Sequence, residues 1–184
     1  MPFAVELYLD EETDEAVRAV WRRLAAAKVG GTPPDSRSRP HVTLAAFQEA
    51  DSHVFEPALA AFAQATPSLA FTLVSLGVFP TSESVIFFAP VVTRSLLDLH
   101  ERFHQVLTEV GATSFPYYVP GKWVPHCTIA IGIPPEHVST TVELCREGFL
   151  PIQGRFTHIG LITYTYRPVM PMCAYPLQDA DTPT

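Results

Sequence analysis

Two short segments of the chain carry the same polar residues in the same order. Residues 40–45 read PHVTLA and residues 125–130 read PHCTIA. Imidazole takes up and releases protons near neutral pH, so two histidines can serve as an acid and a base in one reaction. Hydroxyl groups beside them can hold the oxygens of a tetrahedral phosphate. The repeated motif therefore predicts acid–base chemistry at phosphorus. The candidate catalytic residues are His41, Thr43, His126 and Thr128.

Each motif must lie on a β-strand for its histidine and threonine to act together. Residues i and i+2 of a strand project from the same face, roughly 6.6 Å apart, so His41 would lie beside Thr43. The residues between them would then point into the core, and each proline would start a strand, where a missing N–H costs little. We expect Ala45 and Ala130 on the histidine face, where their small size leaves room. Two such strands side by side would present both histidines to one cleft.

Hydropathy patterns predict the elements that carry these motifs. Because the predicted strands alternate with helices, the fold class is α/β or α+β. Strands are expected over residues 3–9, 41–47, 69–79, 85–92, 126–132, 152–166 and 169–177, and helices over residues 14–28, 55–65, 94–110 and 136–147. Residues 179–184 are expected to be frayed.

Composition limits the class of protein. The chain has 184 residues, of which 47% are hydrophobic and 17% are charged, which favours one folded domain over a disordered chain. A net charge of −7 argues against binding long nucleic acid by bulk electrostatics. Three cysteines form no CxxC pair, and neither a signal peptide nor a membrane span is visible. We therefore expect a cytoplasmic protein.

The paired motifs resemble those of the 2H phosphoesterase superfamily, close to its 2′–5′ RNA ligase-like and cyclic nucleotide phosphodiesterase branches. The resemblance covers the element order of roughly residues 3–177. It implies an α+β fold in which residues 1–184 form a single domain of two pseudo-symmetric lobes. Each lobe would carry one motif, with antiparallel sheets facing a central cleft and helices outside.

The resemblance also implies an activity. Family members act without a metal or another cofactor on 2′,3′-cyclic phosphates, ADP-ribose 1″,2″-cyclic phosphate or RNA ends. We expect a monomeric phosphodiesterase that opens a nucleotide-like cyclic phosphodiester. By the same resemblance, His126 is expected to be the base and His41 the acid. RNA 2′–5′ end joining would use the same site. The acidic balance of the chain favours a small nucleotide or an RNA end over long nucleic acid.

Basic and aromatic residues near the motifs are candidates for substrate binding. Basic side chains within four positions of a motif histidine could hold phosphate. Aromatic side chains could stack a nucleobase. The basic candidates are Arg37, Arg39 and Lys122, with Arg155 as a further one, and the aromatic candidates are Tyr8, Tyr117, Tyr118 and Trp123.

Two alternatives compete with this interpretation. Residues 100–104 read HERFH and match the HExxH signature of zinc peptidases, which would use His100, Glu101 and His104. On a helical wheel both histidines lie on the flank of the apolar face and the glutamate lies near the solvent side, which is typical of boundary residues. A third zinc ligand, Glu136 or Glu143, has no support from the sequence. The second alternative is a nucleotide-binding module without turnover, which the intact motifs disfavour.

Overall fold

The computed structural model describes residues 2–29, 31, 38–49, 51–147, 151–163 and 169–179. The strands are β1 (Phe3–Leu9), β2 (His41–Phe47), β3 (Leu69–Phe79), β4 (Val85–Pro90), β5 (Cys127–Ala130), β6 (Ile152–Thr163) and β7 (Met170–Pro176). The α-helices are α1 (Glu11–Ala27), α2 (Ser52–Gln64), α3 (Arg94–Glu109) and α4 (Val138–Arg146), the last preceded by a 3₁₀ turn at Pro135–His137. The expected strand end at residues 164–166 and the expected frayed residues 180–184 lie outside the described residues.

Helices α1 and α2 start three residues earlier than the hydropathy pattern predicts because side chains cap them, whereas α3 starts at the predicted residue. The carboxylate of Asp10 accepts a hydrogen bond from the Thr13 backbone N–H at 2.9 Å, and acidic residues fill the first turn of α1. Asp51 caps α2 in the same way, and Thr93 caps α3. Caps therefore set where each of these helices begins, and the apolar faces set where they pack.

The named strands form one antiparallel sheet in the order β2–β1–β6–β3–β4–β5, with β7 also paired to β6. The long strand β6 pairs with β1 along one edge and with β3 and then β7 along the other. Strands β2 and β5 are the two ends of this order, yet they lie close together. The sheet therefore curves until the two motif-bearing strands meet. The α+β class is confirmed, and the division into two lobes stays a prediction.

Strand β2 contains a β-bulge directly after its motif. Thr43 pairs with Glu6 on β1, whereas Ala45 pairs with Val5, so Leu44 is an extra residue on β2. Leu44 and Ala45 both belong to the main hydrophobic core. The expectation that Ala45 lies on the histidine face is therefore wrong, because the bulge turns it into the core.

Strand β5 repeats this bulge at the equivalent position. Thr128 pairs with Phe87 on β4, and Ala130 pairs with Ile86, so Ile129 is the extra residue. Ala130 also packs in the main core, which corrects the second alanine expectation for the same reason. The internal repeat seen in the sequence is thus a repeat of backbone geometry as well.

No helix in the described ranges has the length and apolar character that crossing a membrane would require.

Candidate active site

Each motif histidine is fixed by a hydrogen bond to its own chain. His41 Nδ1 lies 2.6 Å from the carbonyl oxygen of Arg39, and His126 Nδ1 lies 2.7 Å from that of Val124. In both copies a proline stands between the two residues and holds the preceding residue in an extended conformation. A carbonyl oxygen can only accept, so Nδ1 carries a proton in both rings. Nε2 is therefore the nitrogen that each ring can offer for proton transfer.

The structure brings the two motifs to one place. The indole N–H of Trp123, just before the second motif, donates to the carbonyl oxygen of Thr43 at 2.9 Å. The buried thiol of Cys127 lies within hydrogen-bond reach of the His41 backbone. His41 is also close enough to His126 for its charge to affect the pKa of that ring. The four predicted catalytic residues therefore come together: His41, Thr43 and Thr128 lie on β2 and β5, and His126 directly precedes β5. Both threonines are half-buried beside their histidines.

His126 lies among aromatic rings. The ring of Phe79 is 4.8 Å away in an edge-to-face arrangement, and that of Phe87 is 5.3 Å away. Phe87 can lie flat across β3 because residue 77 is glycine; a Cβ there would come 2.3 Å from the ring. Burial lowers the pKa of His126, and the charge of His41 lowers it further, although the bond to Val124 opposes the shift. His126 is therefore neutral at pH 7, with a free base at Nε2.

His41 has a different neighbour, Glu6. The Glu6 Oε1 atom lies 3.2 Å from His41 Nε2, and the glutamate is only 4% exposed. Burial raises the pKa of this carboxyl, while His41, a hydrogen bond from Tyr8 and the charge of Arg39 oppose the rise. Glu6 is not among the site residues predicted from the sequence. The signal available was a lone carboxylate within the apolar segment FAVELYL.

Tyr8 does not have the role predicted for it. Its ring is 4% exposed, lies against Gly160 on β6 and is covered by the guanidinium of Arg39 at 4.4 Å. A Cβ at residue 160 would come 2.4 Å from the ring, so the glycine makes room for it. Tyr8 therefore has no open face to stack a nucleobase; it packs Arg39 and donates to Glu6. Arg39 is exposed beside His41, as phosphate binding would require.

Trp123 is buried between elements of the fold and does not present an open ring for base stacking. It is 9% exposed, and its ring lies parallel to that of His100 at 4.0 Å. One face of the indole packs on His100 of α3, and its N–H donates to the carbonyl oxygen of Thr43 on β2. Trp123 therefore connects α3 and β2 to the segment that leads into β5. A base-stacking role would need an open face, which this ring does not offer.

The other predicted binding residues fall into three groups. Lys122 is exposed in a turn before the second motif, Tyr117 is 81% exposed and Tyr118 is half-buried; the roles of these three residues stay predictions. The guanidinium of Arg155 donates to the carbonyl oxygen of Ser68 at 2.7 Å, so this side chain stabilises the contact between β6 and the start of β3. Arg37 lies outside the described residues.

The HExxH segment does not form a zinc site. His100 is 1% exposed, and its Nε2 lies 2.8 Å from the carbonyl oxygen of Tyr118 and 3.1 Å from that of Leu44. This nitrogen must be a donor and cannot bind a metal as well. Glu101 is exposed, as expected. The prediction that His100 is a boundary residue is wrong. Its side chain is buried because Trp123 packs on it. In the described parts of the chain, no three His, Cys, Asp or Glu side chains converge on a possible metal position.

His100 should make the stability of the protein sensitive to acid. Burial lowers its pKa from 6.5 to about 4, and His104 adds to the effect. The unfolded chain binds this proton below pH 6.5, whereas the folded chain resists it down to about pH 4. The free energy of unfolding should thus fall as the pH drops from 6.5 to 4, by about 3 kcal/mol from this group.

Urea denaturation at pH 7, 5.5 and 4 measures this loss. His100→Gln is the matched variant, because its amide keeps an N–H for the carbonyl acceptors and does not titrate. The variant should show a flatter dependence of stability on pH than the parent protein. An equal slope in both proteins would contradict the assignment.

Comparisons with known proteins agree with this geometry over nearly the whole chain. Residues 14–167 match the family model of the 2′-5′ RNA ligase superfamily. A comparison with curated proteins gave no match. Among solved structures, E. coli LigT complexed with 3′-AMP is 19% identical with a TM-score of 0.66, and the alignment covers 96% of this chain and 99% of LigT.

Two further structures show the same fold. The protein TT0787 of Thermus thermophilus is 16% identical with a TM-score of 0.66, covering 98% of this chain and 100% of its own. A structure described as a phosphoesterase is 18% identical with a TM-score of 0.65, covering 95% and 97%. The family model spans most of the sequence, both motifs included, and confirms the resemblance predicted from them: the chain belongs to the 2′-5′ RNA ligase superfamily, whose members are 2H phosphoesterases.

Proposed function

We propose that this protein is a metal-independent phosphodiesterase that opens a nucleotide-like cyclic phosphodiester. Membership of the superfamily supports a phosphodiesterase or ligase-type activity. One observation supports the assignment of a cyclic phosphodiesterase with one acid and one base. His41 and His126 are held by the same kind of Nδ1 hydrogen bond, but the surroundings of their rings differ. His126 lies against two phenyl rings, and His41 lies against a buried carboxylate. Such a pair suits one base and one acid.

His126 is the base of the proposed reaction. Its neutral Nε2 takes a proton from a water molecule as the water oxygen forms a bond to phosphorus. The aromatic surroundings keep the ring unprotonated at neutral pH, since burial lowers its pKa. The Nδ1 bond to Val124 holds the ring in place while Nε2 changes its protonation state.

His41 is the acid. It gives the proton on Nε2 to the ribose oxygen as the bond between that oxygen and phosphorus breaks, which leaves a phosphomonoester. The hydroxyls of Thr43 and Thr128 hold the non-bridging oxygens, and Arg39 and Lys122 supply positive charge at the mouth of the cleft. Each turnover moves one proton from water to His126 and one from His41 to the product, and solvent restores both rings.

A small substrate suits this chain better than a long one. Its net charge of −7 leaves few cations for the counterion release that drives binding to long RNA. The structural neighbour LigT has been crystallised with 3′-AMP, a ligand of the size proposed here. RNA 2′–5′ end joining remains the alternative at the same site; there a hydroxyl of a second RNA end attacks the cyclic phosphate in place of water, and the same ribose oxygen leaves phosphorus.

Turnover of a 2′,3′-cyclic mononucleotide should survive EDTA, because two histidines and two threonines supply acid, base and phosphate contacts. The test incubates the purified protein with the four 2′,3′-cyclic mononucleotides, ADP-ribose 1″,2″-cyclic phosphate and short RNA ends, each with and without EDTA. We expect rates with and without chelator to agree within about twofold. Loss of activity with EDTA that zinc restores would overturn the proposal, and joined RNA as the only product would favour the ligase alternative.

A further inference from the structure

We propose that Glu6 is a positioning residue for His41: the two side chains share one proton, which is the proton that His41 gives up as the acid. The inference rests on the proposed function for its catalytic meaning, although proton sharing itself can be tested without a substrate. Glu6 reaches the reaction only through His41 and is not placed on the substrate.

The contacts of the His41 ring describe an imidazolium. Its Nδ1 faces the carbonyl oxygen of Arg39 at 2.6 Å, and its Nε2 faces the Glu6 carboxylate at 3.2 Å. An ionised carboxylate and a carbonyl only accept, so both bonds exist together when both ring nitrogens carry hydrogen. If Glu6 holds the proton instead, Nε2 accepts from it. In either arrangement the pair contains one proton between His41 Nε2 and Glu6 Oε1.

The groups around Glu6 leave it dependent on this proton. A buried carboxylate is costly unless it is paired and hydrogen-bonded. The charged or titratable groups that face it are Tyr8 on its own strand, and His41 and Arg39 on the β2 side. From β6 the position opposite Glu6 is Gly160, which has no side chain to offer. Among the described residues, the thiols of Cys127 on β5 and Cys173 on β7 and the imidazole of His158 on β6 also lie near this cluster, and the carboxylate of Asp14 on α1 lies near Cys127.

The second motif shows what this position looks like without a carboxylate. Glu6 pairs with Thr43, and the residue that pairs with Thr128 at the equivalent point of the repeat is Phe87. A phenyl ring satisfies packing there, so packing alone does not require a glutamate at the first copy. The same position thus carries a proton acceptor beside one histidine and an apolar ring beside the other, His126.

The proton balance of the reaction follows. As the ribose oxygen leaves phosphorus, the Nε2–H of His41 passes to it, and the pair becomes a carboxylate and a neutral imidazole. The hydrogen bond from Tyr8 and the charge of Arg39 stabilise the carboxylate at that stage. The Nε2–Oε1 separation of 3.2 Å is at the long end of N–H···O bonds, so the proton can turn toward a closer acceptor. Solvent then returns one proton to the pair.

The first test is a histidine NMR titration without substrate, with His41 assigned by its absence from the His41→Ala spectrum. Glu6→Gln should lower the titration midpoint of His41 by about one pH unit, because the opposite charge that favours imidazolium is removed. The matched control is Glu12→Gln, an exposed glutamate on α1, which should leave the midpoint in place. A His41 midpoint that stays the same in Glu6→Gln would overturn the inference. If Glu6→Gln does not fold, Glu6→Asp should give a smaller shift of the same sign, because its carboxylate is withdrawn from the ring.

The second test is the pH dependence of kcat on the best cyclic substrate. Glu6→Gln should move the high-pH limb down by about one unit and leave KM within about twofold, and Glu6→Asp should restore part of the shift. An equal loss of kcat at every pH, with the limb unmoved, would show a purely structural role and contradict the proposal. If no cyclic phosphodiester is turned over, the proposed function and the positioning role fail together, and the NMR titration alone decides whether the two side chains share a proton.

Discussion

Replacing either His41 or His126 by alanine should lower kcat on a 2′,3′-cyclic nucleotide by about 10²–10⁴-fold, the usual contribution of one general acid or base. The double variant should be little worse than the poorer single one, because two residues that act in one step are not additive. Thr43→Val and Thr128→Val should cost less, since each removes one hydroxyl and keeps the shape of the side chain.

The measurement is kcat and kcat/KM between pH 5 and 9, with circular dichroism to show that each variant is folded. The profile should be a bell whose low-pH limb belongs to His126 and lies below 6.5, since burial lowers its pKa. His53→Ala is the matched control, because His53 is an exposed histidine on α2. Folded single variants at the parent rate would overturn the assignment of the site.

Trp123→Ala should destabilise the protein by about 3–5 kcal/mol, the range for deleting a large buried aromatic side chain. The deletion leaves a cavity beside His100 and removes the donor to the Thr43 carbonyl. Trp123→Phe separates the two effects, because it retains a ring against the histidine but has no N–H. We expect Trp123→Phe to lower the free energy of unfolding much less than Trp123→Ala does. The missing hydrogen bond accounts for about 1 kcal/mol of this smaller loss.

Urea denaturation at pH 7 gives both values, and turnover measured on the folded fraction shows whether the motifs stay aligned. Val124→Ala, next in the chain and exposed, is a control for the loop itself. A loss below about 1 kcal/mol for Trp123→Ala would mean that the indole does not brace the two motifs.

Local patterns predicted the elements well because the period of a strand or a helix is written in neighbouring residues. The alternation in residues 3–9 and 41–47 gave the bounds of β1 and β2 as the structure has them. The start of α1 was placed too late because its apolar face begins after its cap, and the carboxylate of Asp10 sets the first turn. The histidines and threonines could be selected because the motif is written twice.

The surroundings of the site depend on contacts between distant residues, which one sequence does not reveal. Trp123 was predicted to be an available aromatic because its partner, His100, lies on another element. Ala45 was assigned to the wrong face because a bulge depends on the register with β1, not on its own neighbours. The register also places Glu6 opposite Thr43, and nothing in the sequence alone gives that pairing. The sequence therefore predicted the residues that could carry the chemistry, but not the different electrostatic surroundings of the two histidines.

The position of β2 and β5 at opposite ends of the sheet order has a consequence for how substrate preference can evolve. Among the described strands, each of the two pairs with one neighbour, β1 or β4, and the contact between them includes the bond from the Trp123 side chain, just before β5, to Thr43 on β2. Paired strands are held about 4.8 Å apart by their hydrogen bonds, but two strands that meet through side chains have no such fixed spacing. Substitutions in the packing around Trp123 could thus widen or narrow the cleft by small steps while both motifs and all ladder bonds stay intact. Substrate size and catalytic chemistry can in this way change independently of each other.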